Sequence, residues 1–464
     1  MIPLTVNKLA EIIKSKNIPA VNLQVKSVSI DSRNIPKGCV FFAIKGENHD
    51  GHDYVSKAIE SGAVCAVVGA DRCVCHNNEK GEHTGSPLLR VDDTVAAMGR
   101  LGSFVRQNSK FKIVAITGSA GKTTTKNMLS AVIDSKFKCS PSPKSFNNNI
   151  GVPLTIFAAP DDCEIVISEL GTNHIGEIEV LSKMIEPDVA VITTVCPAHL
   201  EGFGSLDAIV KEKVSITAGL KKGGKFFISG GKEKLLDYCK KNNLKFTTFG
   251  TTPDCDVLVE NIRLTGDKST FTVEGVEVNL PLVGKANVEN ASAAWAVAKH
   301  FGFSAAEFAD AVSKIKPVTM RMEILQFGTL GVISDCYNAN PGSMENALQS
   351  LALVAEQKKK RPVFIFGKMG ELGGESQRLH IELGRQIAQY EIPASLTIAG
   401  DSAMAAETAK KLLRSDNTVE VFENLKELAD NLHKFVKPDD IVLVKASRSQ
   451  RFEKIVDKLK GLFT

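Results

Sequence analysis

The stretch that most constrains this chain is "KIVAITGSAGKTTTKNM", Lys112 to Met128. A β-branched apolar run ends at Gly118, and a helical pattern follows in which Met128, Leu129, Val132 and Ile133 share one face. A strand that enters a glycine turn and then a helix aims backbone N–H groups and the helix N-terminus at an anion. The common phosphate loop puts four residues between its first glycine and the Gly-Lys pair. Here only Ser119 and Ala120 separate Gly118 from Gly121 and Lys122. Glycine at 118 and 121 permits the turn and a close phosphate approach, Lys122 can neutralise the β and γ phosphates, and the Thr123 hydroxyl is placed for Mg²⁺. Ser119, Ala120 and Thr124 complete the expected ATP-binding stretch. The plain alternative is a glycine turn with an exposed lysine.

At 464 residues, and about 150 residues per domain, the chain should hold about three domains. A net charge of +4 over that length, with 43% hydrophobic and 24% charged residues, argues against nucleic acid or an anionic membrane as partner. The opening "MIPLTVNKLAEIIKSKNIPA" has charges in every apolar stretch, so neither a signal peptide nor a membrane insertion is expected, and the protein is placed in the cytoplasm. Ten cysteines scattered through such a chain suit reduced thiols. Cys73, Cys75 and His76 with His83 do not have a zinc spacing, and a loop is expected there.

The fold class is α/β throughout. Strands "KSVSI", "CVFFAIKG", "AVCAVVG" and "LLRV", with helices over Leu4 to Ser15 and "YVSKAIESG", make a small first unit over residues 1–93. "DDTVAAMGRLGSFVRQ" reads as a capped helix leading into a central domain over 94–316. There "KIVAIT", "EIVISEL" and "DVAVITTV" are buried-type runs of a parallel sheet covered on both faces. A more β-rich stretch, Lys222 to Leu282, and the helix in "NVENASAAWAVAKHFG" close that domain. Over 317–464 strands "GVISDCY", "PVFIFG", "SLTIAG", "VEVFEN" and "DIVLVKAS" alternate with helices, a Rossmann-like unit without a second phosphate loop.

In an open α/β sheet, ligands bind beyond the carboxyl ends of the strands. "EIVISEL" delivers Glu169 there, and "DVAVITTVCPAHLEG" delivers His199 just past its strand. Alone, each is as well read as a solvated carboxylate and a satisfied loop histidine. Beside a phosphate loop they read as ligands for Mg²⁺, although histidine is unusual for that ion.

With these residues in order, the sequence resembles the Mur ligases, ATP-dependent amide-bond formers of peptidoglycan assembly, whose shortened loop reads T-G-x-x-G-K-T-T. The resemblance also rests on "DSRNIPKGCVFFAIKGENHDGHDY", "SFNNNIGVPLT", "ELGTNHIGEI", "PAHLEGFGSL", "DCYNANPGSM" and "LVKASRS". It implies a small N-terminal uridine-binding domain, a central P-loop ATPase domain and a C-terminal ligase domain. It implies that Lys213, in "IVKEKVSI", is carbamylated and holds a second Mg²⁺ with His199 and Glu169, while Thr123 and Glu169 serve the first. An unmodified ammonium about 4 Å from a divalent ion would be repelled by about 8 kcal/mol at an effective dielectric of about 20. The plain reading of Lys213 is an exposed lysine on a charged helix, as Lys211 is expected to be.

The same resemblance assigns Asn287 and Asn290 to the adenine, with Asn290 the stronger candidate, though an Asn pair is often a helix cap. It has Arg321 and Asp335 reach ATP from the third domain, so that domain closure completes the site. Ser32 and Arg33, after Asp31, with Lys45, Gly46 and Asn48, are implied to receive the uridine diphosphate end; Arg33 offers a planar fork. Asn147, Asn148, Asn173 and His174 are expected along the path of the muramoyl-peptide. "DCYNANP", with Tyr337, Asn338 and Asn340, points to the family member that adds D-alanyl-D-alanine to UDP-N-acetylmuramoyl-tripeptide through an acyl phosphate. The D-N-P-R signature of the diamino-acid adder is absent. Lys445, Ser447 and Arg448 are expected near the dipeptide or the peptide stem. "FGKMGELGGES" departs from the family's wording at Lys368, which is given no role. Another Mur-type amino-acid ligase, or a nucleotide-switched interaction module, are the alternatives. The chain is expected to act as a monomer.

Overall fold

The computed structural model describes residues 3–71 and 87–464. Cys73, Cys75, His76 and His83 lie outside the described residues. The first unit is a parallel sheet of Ser27–Ser29, Cys39–Phe42, Cys65–Gly69 and Leu88–Val91, in that order. The helical pattern expected from Leu4 is divided. Leu4–Thr5 pairs antiparallel with Gln24–Val25, and the helix runs Val6–Ile13 because the Thr5 hydroxyl accepts from Lys8 N and caps it.

Asp93 caps the helix Thr94–Gln107 with its carboxylate, accepting from Val95 N and Ala96 N at 2.7 and 3.0 Å. The central sheet has seven parallel strands, in the order Val257–Leu258, Thr247–Gly250, Lys225–Ser229, Val189–Ile192, Lys112–Thr117, Ile165–Glu169 and Cys139–Pro141. The phosphate-loop strand thus lies between the strands that deliver Glu169 and His199. Its side chains alternate across the sheet. Val114 and Ile116 enter a core with Met128, Leu129, Val132 and Ile133 of the helix Lys122–Ile133, while Ile113 and Ala115 enter a second core on the other face. That second core continues without a break through Leu101 of the connecting helix to Leu9, Val67 and Leu89 of the first unit. Each such isoleucine or leucine, fully removed from water, contributes about 1.5–3 kcal/mol, so the first two units are held as one body.

The third unit is a six-stranded sheet in the order Glu323–Phe327, Leu330–Ser334, Ile441–Lys445, Pro362–Phe366, Ala394–Ile398 and Thr418–Phe422. All five strands expected there form a parallel array. The edge strand Glu323–Phe327 is additional and antiparallel, joined to its neighbour through Gly328 at φ 56°, where a Cβ would lie 2.8 Å from Phe463 O. Each face of this sheet has a core, and one of them takes in Val283 of the central domain. Its contacts with the central domain include several polar ones: Tyr337 Oη donates to Ser145 Oγ at 2.7 Å, Glu201 N to Glu371 O at 3.1 Å, and Gln357 Nε2 to Leu264 O at 2.9 Å.

Candidate active site

The shortened loop is shaped by its neighbours. A Cβ at Gly118 would lie 2.0 Å from Thr193 Oγ1, and one at Gly121, which sits at φ 83°, would lie 2.1 Å from Asn290 Oδ1. Both positions therefore require glycine. Ser119 N donates to Thr194 O at 2.9 Å, Ser119 Oγ to Cys196 O at 2.9 Å, and Thr193 Oγ1 to Ala120 O at 2.5 Å, which fastens the turn to the end of the next strand. The helix Lys122–Ile133 begins at Gly121 with no side-chain cap, so its first N–H groups are left for an anion. Lys122 folds back across the loop, its Nζ donating to Gly118 O at 2.6 Å. Burial, reinforced by Arg321, lowers its affinity for a proton, while Glu169 acts in the opposite sense.

A cavity of about 790 Å³ opens over this loop between the central and third domains. It brings together Ser119 to Thr124, Asn147, Asn148, Glu169, Asn173, His199, Asn287 and Asn290 from one side with Arg321, Asp335, Tyr337, Asn338, Asn340 and Lys445 from the other. The expected nucleotide contacts thus converge on one space, apart from Gly118, which does not line it. Asn287 is tied by its Nδ2 to Val283 O at 2.8 Å, and Asn290 Oδ1 accepts from Thr125 Oγ1 at 3.4 Å. Arg321 stacks on the Tyr337 ring at 4.0 Å. Asp335 and the buried Lys445 form an ion pair at 2.5 Å, and Lys445 Nζ also donates to Asn338 O at 3.0 Å. Burial raises the Asp335 pKa, with Lys445 opposing it. Asn340 caps the helix Pro341–Lys358 and reaches Ser119 O at 3.4 Å, so "DCYNANP" touches the loop itself.

Other expected residues stand elsewhere. Lys213 is 1% exposed, unlike Lys211, and does not line the cavity. His174 turns outward, its Nδ1 3.2 Å from Glu177 Oε1. Ser447 is buried beside Ser449, and Arg448 pairs with Glu453 at 3.2 Å. Ser32, Arg33, Lys45, Gly46 and Asn48 lie on the first unit, outside the cavity lining. The Arg33 fork grips Asp31 at 2.7 and 2.9 Å, and that grip takes the Asp31 carboxyl down to about 2.

Glu169 is wholly buried at its strand end. Its Oε2 accepts from Thr123 Oγ1 at 3.1 Å. Its Oε1 lies 3.0 Å from Lys126 Nζ but outside hydrogen-bond geometry, because that ammonium donates instead to Ser142 O and Lys144 O at 2.7 and 2.8 Å. Glu169 thus holds one oxygen on the Thr123 hydroxyl and the other against the Lys126 ammonium without a hydrogen bond. Lys126 was not foreseen, although its spacing of three and seven from Leu129 and Ile133 put it on the apolar face of the helix. Lys126→Met should cost about 3–5 kcal/mol, since removing one partner leaves Glu169 buried and unpaired; denaturant unfolding measures this, and an unchanged midpoint would contradict it.

His199 sits in the left-handed region at φ 53° and directs its Nδ1 to Glu371 of the third domain, not to Glu169. That pairing lowers the Glu371 pKa. Among the described residues no three His, Cys, Asp or Glu side chains meet as a ready cation cage. The loop bearing Glu371 is anchored by His380, wholly buried, whose Nε2 accepts from Met369 N at 3.1 Å and whose Nδ1–H donates to Ser376 O at 2.8 Å. Burial lowers the His380 pKa below its ordinary 6.5. Between the two values the unfolded chain binds the extra proton, so stability falls as pH drops through that window and levels off below it. Thermal denaturation from about pH 7.5 to about 5.5 should show this slope, reduced in His380→Gln.

Comparison with known proteins agrees with this architecture. The pattern of the Mur ligase family catalytic domain matches residues 24–106, that of the Mur ligase middle domain 116–298, and that of the Mur ligase glutamate ligase domain 320–448. The UDP-N-acetylmuramoyl-tripeptide–D-alanyl-D-alanine ligase of Bacillus subtilis (strain 168) is 34% identical, and that of Haemophilus influenzae is 33% identical, with 99% of each chain covered in both cases. The crystal structure I of MurF from Acinetobacter baumannii superposes with a TM-score of 0.87 at 28% identity, covering 99% of both chains. The chain belongs to the Mur ligase family.

Proposed function

We propose that this chain is an ATP-dependent ligase that joins D-alanyl-D-alanine to UDP-N-acetylmuramoyl-tripeptide, acting as a monomer in the cytoplasm. The observation that carries the reading is the cavity in which the abbreviated glycine loop and Glu169 face Arg321, Asp335 and the "DCYNANP" segment of the third domain. Full-length similarity to enzymes named for this activity supports it. The cavity is closed by the chain's own third domain, so a second copy is not needed to complete it. Eight free cysteines among the described residues fit a reducing compartment, and no described helix is long and apolar enough to cross a membrane.

The terminal carboxylate of the tripeptide attacks the γ-phosphorus of ATP. The bond from that phosphorus to the bridging oxygen breaks, ADP leaves, and an acyl phosphate remains. The amine nitrogen of D-alanyl-D-alanine then attacks the acyl carbon, phosphate departs, and the nitrogen gives up a proton. The protein supplies position and charge. The uncapped N–H groups after Gly121 receive the phosphates, Lys122 stands against the charge on the transferring group, and Arg321 approaches from the opposite wall. Asn287 and Asn290, at the start of the helix Lys285–His300, line the cavity and are assigned to the adenine. Asn147, Asn148 and Asn173 offer amides to the peptide, and Ser32, Arg33, Lys45, Gly46 and Asn48 of the first unit are assigned to the uridine diphosphate end.

Mg²⁺ suits the Glu169 carboxylate and the Thr123 hydroxyl that meets its Oε2, since both are hard oxygen ligands and both line the cavity. When bound it would neutralise phosphate charge. A second ion held by Glu169, His199 and a carbamate on Lys213 would require His199 to leave Glu371. Supporting that modification, burial and the nearby Lys122 charge push the Lys213 amine well below the ordinary lysine range, toward the neutral form that adds carbon dioxide.

An assay of ADP release on UDP-muramoyl-tripeptides, with D-alanyl-D-alanine compared against single amino acids, tests the reading. Turnover should require ATP, the tripeptide and the dipeptide together. Slow hydrolysis indifferent to both small substrates would favour a nucleotide switch, and turnover with a single amino acid would favour another ligase of the family.

A further inference from the structure

One wall of the cavity is the loop from Thr172 to the helix Glu177–Ile185, which carries Asn173, Ile175 and Val180. The two apolar side chains are left at the cavity with 67% and 64% of their surface in solvent. That helix starts at Gly176, at φ 92°, and receives no cap from its own N-cap residue. The donors are met from another element. Glu212, on the helix Leu206–Val214, accepts from Gly176 N through Oε2 at 2.7 Å and from Ile178 N through Oε1 at 2.9 Å. The Thr172 hydroxyl lies 3.2 Å from the same Oε1 and 2.7 Å from His174 O. Glu212 is 3% exposed and forms no ion pair among the described residues. A carboxylate so buried ordinarily needs a cation; here the N-terminal end of a helix takes that place. Glu177 braces the loop from the other side, its Oε2 accepting from Asn173 N and His174 N at 2.7 and 3.2 Å.

We infer that Glu212 is a positioning residue for the acceptor. As a cap supplied from a distant helix, it holds the wall bearing Asn173, Ile175 and Val180 in register with the phosphate loop, without touching substrate. The inference rests on the ligase reading above. Its place next to Lys213 makes one short helix the support of both the cavity wall and the buried lysine.

The test is Glu212→Gln in the full chain, which keeps the length of the side chain and removes its charge. Without any substrate, amide hydrogen exchange at Gly176 and Ile178 should accelerate by about tenfold or more, the loss of one charge-assisted hydrogen bond, while exchange in Lys112–Thr117 stays as in the parent. The KM for UDP-muramoyl-tripeptide should rise by about tenfold with the KM for ATP within about twofold. Glu212→Asp keeps the charge, should give a smaller rise in both readouts, and carries the test if the Gln variant does not fold. Unchanged exchange, or a KM for ATP that climbs in step with that for the acceptor, overturns the inference. A parent chain that ligates while the variant keeps its acceptor KM overturns the inference alone; a parent chain that does not ligate overturns the ligase reading with it.

Discussion

Lys122→Ala is expected to lower ATP-dependent ADP release by about 10²–10³-fold or more, the effect of removing one preorganised charge from the transition state. The lysine lies across the loop on Gly118 O, inside a wall that already disfavours its charge. A triphosphate entering the cavity would draw it off that carbonyl and favour its charged form. The loss should fall mainly on kcat, because the ammonium acts where phosphoryl charge develops. The fold should survive, since the glycine turn stays fastened by Ser119 and Thr193 when the bond from Lys122 to Gly118 O is lost. Steady-state rates beside a thermal melt check both parts. A variant with wild-type turnover would remove the loop from the chemistry.

Lys213→Ala is expected to abolish turnover as completely, with a different signature. If the residue works as a carbamate, bicarbonate or acetate should restore part of the activity to Lys213→Ala and none to Lys122→Ala. A small carboxylate can occupy the space of the first side chain, whereas nothing in the buffer replaces the second one's ammonium. Mg²⁺ titration should show weaker ion dependence in the lysine-213 variant, relieved by the same anions. Full activity in Lys213→Ala would exclude a carbamate at this position from the reaction.

The loop, its strand and its helix were legible because three signals coincide within a few residues: an apolar β-branched run, two glycines at fixed spacing and a lysine after the second. Asp93 was legible as a cap for the same local reason. The charges that brace the site were not. A glutamate or lysine on a helix reads as a solvated face, yet Glu212 and Lys126 are buried and satisfied by groups distant in sequence. Their one sequence signal is position: Glu212 lies between Ile209 and Ile216 at helical spacing, in line with buried neighbours. Edge strand Glu323–Phe327 was missed because polar and half-exposed residues interrupt its pattern. The pairing of Asp335 with Lys445, and of His199 with Glu371, depends on chain crossings that no local window contains. For Arg33 the sequence offered a free fork where the structure closes it on Asp31.

The unbroken apolar core from Leu9 through Val67 and Leu101 to Ala115 and Ile192 fixes the span between the first unit and the phosphate loop. If the first unit holds the nucleotide end of the acceptor, as proposed above, the acceptor must present its reacting tip across a distance the protein cannot adjust. Such a frame would work as a ruler: stems too short or too long would be rejected by where their tip falls, since a displacement of about 1 Å can cost about 10²-fold in rate. The third domain, whose inner core reaches the central domain at Val283, would then be the jaw that shuts on whatever the ruler admits.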